Sequence, residues 1–138
     1  MNDVLISEAT RVTAGVLLIT IVAVESGGLF MLRVVGRRVP ATPFQAAFFR
    51  AGHAHAGVLV TLALASQLFV DAAALDGVAN SFARSGIALA AILMPAGFFL
   101  SAWGEGTTKP SRLVALVYIG ALSLAAGALS LGLGLLIG

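Results

Sequence analysis

A carboxylate at Glu25, imidazoles at His53 and His55 and a phenol at Tyr118 are the groups whose chemistry is out of keeping with their surroundings in this 138-residue chain. Each is set in a long apolar stretch. Ionisable groups in hydrocarbon are costly, so they face a protein interior, a cavity or a bound group, and they mark ligand sites and proton or ion pathways. The chemistry open to this set is proton exchange at Glu25, axial ligation by an imidazole, or simple hydrogen bonding. No catalytic residue is assigned: there is no Ser/His/Asp constellation, no Gly-rich phosphate loop and no metal-ligand spacing. The chain also has no Cys, which removes disulfides, thiolate metal sites and Cys nucleophiles.

Depth and direction limit what these residues can do together. At 1.5 Å per residue Glu25 lies about 12 Å from Arg33, His53 and His55 about 4.5 and 7.5 Å from Arg50, and Tyr118 about 9 Å from Arg112. One polar layer of Glu25, His53, His55 and Tyr118 is therefore expected. Residues two apart on a helix point about 200° away from each other, so His53 and His55 cannot serve one metal from a regular helix. His53 shares a stripe with Gly57, Val60, Leu64, Gln67 and Asp71 and is expected to face the interior beside Glu25, hydrogen-bonded to it or with Tyr118 as a partner. His55 shares its face with Leu59, Leu62, Ser66 and Phe69, which points to lipid or a subunit contact. The plainer alternatives are a neutral Glu25–His53 pair that holds two helices together, and Tyr118 as an interfacial aromatic like Trp103.

The elements that position these groups are helices in a membrane. Hydrophobic residues make up 59% of the chain and charged residues 10%, too few to cover a water-facing surface. Spanning hydrocarbon takes roughly 20 apolar residues, and four stretches qualify: 12–32, 44–70, 82–103 and 113–137. This predicts an all-α fold, a single domain (1–138) forming a four-transmembrane-helix bundle. Met1 to Arg11 carries Asp3 and Glu8 against one Arg, and Arg33, Arg37 and Arg38 follow the first span. That reads as a retained anchor and not a cleaved leader. Six of the eight Lys/Arg (Arg33, Arg37, Arg38, Arg50, Lys109 and Arg112) fall at the first and third loops. The bias predicts those loops in the cytoplasm and both termini outside a bacterial cytoplasmic membrane. Ser123/Gly127 and Ser130/Gly134 sit four apart, a spacing for close helix packing inside the bundle or at a dimer face. Pro95 should kink the third span.

The run RAGHAHAG, from Arg50 to Gly57, resembles the second helix of haem–copper oxidase subunit I and its nitric-oxide-reductase relatives. The resemblance implies His53 or His55 as an axial ligand of a b-type haem, with the second axial ligand from another subunit. The further histidine-bearing helices of that superfamily are missing, so no copper centre is implied. The position of Glu25 in the first helix (VESGG, Val24 to Gly28) is similar to that in small multidrug resistance transporters, without the rest of their pattern. The whole chain resembles the uncharacterised small four-helix integral membrane protein families of bacteria.

Three functions are consistent with these observations. The leading one is an accessory or ligand-binding membrane subunit with an intramembrane Glu/His site. The alternatives are a haem- or quinone-linked redox protein and a proton-coupled carrier of a small solute. The expected partners are the lipid bilayer and either further copies of the chain or a larger membrane complex, with no nucleic acid.

Overall fold

A computed structural model describes residues 6–137, and all regular structure among them is helical. The helices are α1 (Glu8–Val35), α2 (Pro43–Val70), α3 (Gly77–Ser101) and α4 (Ala115–Ile137). Single 3-10 turns follow α2 at Asp71–Ala73 and precede α4 at Arg112–Val114. All four helices are long and apolar enough to cross a membrane. The 28 residues of α1 reach about 42 Å, beyond a hydrocarbon core of about 30 Å.

Two helices begin earlier than their apolar windows. α1 starts at Glu8 because Ser7 caps it, its Oγ accepting the Thr10 N–H at 3.2 Å. α3 starts at Gly77, five residues before the expected 82, with Asp76 at its N-cap position but without a side-chain capping bond. Hydropathy finds the part of a helix that suits lipid, while the helix itself runs on to its own boundary, set at α1 by the Ser7 cap.

The helices pack in chain order, α1 on α2, α2 on α3 and α3 on α4. The inner pair α2 and α3 therefore holds most of the buried side chains, while α1 and α4 flank it with most of their surface uncovered. The central core joins Leu17 of α1 to Leu59, Val60 and Ala63 of α2 and to Ile87, Ala90, Ala91 and Met94 of α3. Towards the Arg-rich end, six of the eight phenylalanines form ring contacts. These include Phe49 stacked on Phe99 at 5.4 Å and Phe30 edge-on to Phe49 at 5.4 Å.

Small residues set the α3–α4 spacing. A Cβ on Gly86 would stand 2.8 Å from the Cα of Gly127, and one on Gly127 2.9 Å from the backbone nitrogen of Ile87. Ser123 Oγ donates to the Gly86 carbonyl at 2.8 Å across the same contact. The Ser123/Gly127 face of α4 is thus used inside the chain. α3 runs continuously through the buried Pro95, whose missing N–H leaves the Ala91 carbonyl without its i+4 donor.

Polar clasps close both ends. At one end Thr42 and Gln45 form a reciprocal capping box on α2. The buried Gln45 amide also donates to the carbonyls of Ala102 at 3.0 Å and Gly104 at 2.7 Å. At the other end Arg84 of α3 donates to Asp71 at 2.8 Å and to Thr10 of α1 at 2.7 Å. Asp71 there accepts from the Ser7 backbone N–H at 2.8 Å and from its hydroxyl at 2.9 Å. Gln67 Nε2 donates to the Arg84 carbonyl at 2.9 Å. These bonds bring the first and third loops together at one end, so Arg33, Arg37, Arg38, Arg50, Lys109 and Arg112 are exposed on the same side of the molecule.

Candidate functional site: the Glu25–His53 groove

α1 and α2 meet at Gly27 and Gly28, and the His53 ring packs against this pair. A Cβ on Gly27 would lie 3.3 Å from His53 Nδ1, and one on Gly28 would lie 3.5 Å from Nε2. The imidazole is half-buried at this contact, and grooves run along both flanks of α1 beside it. One, of about 810 Å³, is lined by Val22, Glu25, Ser26, Leu29, Leu32 and His53 among others. The other, of about 270 Å³, places His53 and Gly27 opposite Val60, Ala91 and Phe99. His53 and Val24 line both, and His53 is the polar side chain of the two.

Glu25 differs from expectation. It lines the larger groove with His53, but its side chain is exposed on the outer flank of α1 and makes no hydrogen bond among the described residues. The reason is azimuthal. α1 turns Leu17, Met31 and Val34 inwards, together with the half-buried Val24, and Glu25 follows Val24 by one residue, about 100° round the helix. Distance along the helices sets the level of Glu25 and His53 but not the direction in which Glu25 points.

Tyr118 does not join them. It is 67% exposed on α4, a helix whose packing partner is α3, and no hydrogen bond links it to Glu25 or either histidine among the described residues. The expected four-membered polar layer is thus reduced to two residues beside one groove. His55 also departs from the lipid-facing reading. It is half-buried, with its ring 4.9 Å from that of Phe98 on α3. The 200° between the two histidines is real and has a structural use: α2 is sandwiched, so His53 meets α1 and His55 meets α3.

The implied b-type haem does not fit either imidazole within one copy of the chain. A metal-ligating imidazole usually fixes its tautomer by donating its other N–H to a carbonyl or carboxylate. That bond belongs to His55, whose Nδ1 donates to the Ala51 carbonyl at 2.7 Å. The grooves belong to His53, whose two nitrogens lie against the α1 backbone. Neither residue combines a fixed tautomer with adjoining space. No cluster of three or more His, Cys, Asp or Glu suited to a metal ion exists among the described residues.

Fold and site together define a four-helix, all-α protein whose helices are apolar enough for a bilayer and whose outer face carries one carboxylate beside one imidazole. No protein-family model, curated protein or solved structure matches the chain.

Proposed function

We propose that this chain is a multi-pass membrane protein acting as an accessory or ligand-binding membrane subunit, with the Glu25–His53 groove as its binding surface. One observation carries the reading: an unpartnered carboxylate is exposed near the middle of an apolar 28-residue helix, beside an imidazole in the same groove. A polar group left without a partner in hydrocarbon costs several kcal/mol by order of magnitude, so the groove is built to be covered. Because Glu25 stands outside the bundle, docking suits it better than passage of a solute between the helices.

Extraction of the protein with its native lipid into polymer-bounded discs, followed by mass measurement, tests this. The wild type is expected to carry one discrete added mass that Glu25→Leu lacks. A wild-type chain accompanied only by a broad lipid distribution would overturn it.

The same reading places the basic end at the cytoplasmic face of a bacterial membrane, with both termini outside. Six of the eight Lys/Arg, against Glu25 and Glu105 alone among the acids of that half, motivate the orientation. A cysteine inserted next to Pro40 should resist an impermeant maleimide in intact cells, and one appended after Gly138 should react. The reverse pattern would invert the topology.

A further inference from the structure

We infer that the occupant of the groove is a second copy of this chain, packed α1 against α1 in parallel about a two-fold axis normal to the membrane. The inference rests on the groove being a binding surface, as proposed above, and goes on to name what binds there.

α1 carries two stripes of heptad spacing, offset by one residue. The first, Leu17, Val24 and Met31, faces its own bundle, where Leu17 and Met31 are buried and Val24 packs at the core's edge. The second is Leu18, Val22, Glu25, Leu29 and Leu32, with steps of four, three, four and three. Its four aliphatic members are each more than half exposed. Gly15 and Arg11 continue it towards the N-terminus, and a Cβ on Gly15 would meet nothing within 4 Å. Apolar residues repeating every 3.5 positions form the seam of a left-handed helix pair, and a single polar residue in such a seam fixes register and partner number. Val12, Val16 and Ile19 repeat at the same spacing on the other flank of α1; what sets the second stripe apart is the carboxylate within it.

The chemistry of the polar pair favours self-association. Copies inserted with the same topology have parallel α1 helices at equal depth, and a two-fold contact is self-complementary. Each copy brings one acid, Glu25, and one base, His53, to the same groove. Across the axis Glu25 meets Glu25 of the partner subunit, flanked by both imidazoles. Two acids and two bases satisfy one another there without net charge. An acyl chain in the groove would itself offer the carboxyl neither a donor nor an acceptor.

The absence of cysteine makes disulfide scanning direct. Single-cysteine variants of the full chain at Leu18, Val22, Leu29 and Leu32 would be reconstituted in liposomes and oxidised with copper phenanthroline. Val16 on the other flank of α1 and Leu122 on α4 serve as exposed controls. At least fivefold more disulfide-linked dimer is expected at the four seam positions than at the controls, persisting on tenfold lipid dilution. Equal yields at all positions, or dimer confined to Leu122, would overturn the arrangement. The native-disc measurement separates the two claims. An added mass of one whole chain supports both. A different discrete mass keeps the groove as a binding surface and overturns self-association.

Discussion

Replacing Gly127 with valine is expected to force α4 off α3 and to lower the stability of the detergent-solubilised protein by about 1–3 kcal/mol or more, the usual range for overpacking. Helix association in lipid lacks a hydrophobic drive between helices and depends on close packing and interhelical hydrogen bonds. Both are concentrated here. A Cβ on Gly127 meets the Ile87 backbone nitrogen, the Gly86 Cα and the Phe82 carbonyl within 3.0 Å. These are backbone atoms and cannot swing aside. Displacing α4 also stretches the 2.8 Å bond from Ser123 to the Gly86 carbonyl. The internal control is Gly132, five residues on in the same helix, where an added Cβ meets nothing within 4 Å. Gly132→Ala should be neutral or stabilising by up to about 1 kcal/mol through helix propensity. Unfolding midpoints in SDS titrations monitored by circular dichroism compare the two, and equal midpoints would sink the packing argument.

The contrast between those two glycines shows what a membrane sequence makes legible. Four apolar stretches bounded by turns and charges located the helices, and the small-residue spacing around Ser123 and Gly127 marked the face of α4 that meets α3. The opposition of His53 and His55 followed from helix geometry and survives as contacts to different neighbours. Azimuth was harder to read. In a soluble helix the polar face shows which side is out, but in lipid both sides are apolar and periodicity carries little direction. Glu25 therefore lines a groove with His53 but stands exposed on the outer flank of α1, and Tyr118 lies on α4, whose main packing partner is α3. The clasp at Gln45 had a readable signal in the T-P-F-Q capping box at Thr42. What the box could not show was that the same amide reaches the carbonyls beyond α3.

Arg84→Leu is expected to cost about 2–3 kcal/mol and to loosen the start of α1 selectively. An isolated surface ion pair contributes about 0–1 kcal/mol, so the size of this effect depends on the rest of the cluster. The Arg84 and Asp71 side chains are only 20% and 27% exposed, and one guanidinium satisfies two elements at once, Asp71 after α2 and Thr10 on α1. Thr10 is 1% exposed, and without Arg84 its hydroxyl keeps only the longer 3.2 Å contact from the Ser7 hydroxyl, while Asp71 keeps its bonds from Ser7. Hydrogen bonds to charged groups are worth about 1.5–3 kcal/mol, and an orphaned partner adds its own desolvation cost. The comparison within the same helix end is Arg11, whose contact with Glu8 spans 3.7 Å between side chains 68% and 85% exposed; Arg11→Leu should leave stability unchanged. Arg84→Lys should fall between, because one ammonium lacks the fork that reaches both oxygens. Since α1 is held mainly by α2, release of this clasp should appear as faster amide exchange across the first turns of α1, with α3 and α4 unaffected. Uniform acceleration across all four helices, or equal behaviour of the Arg84 and Arg11 variants, would show that the cluster is decoration on a fold held elsewhere.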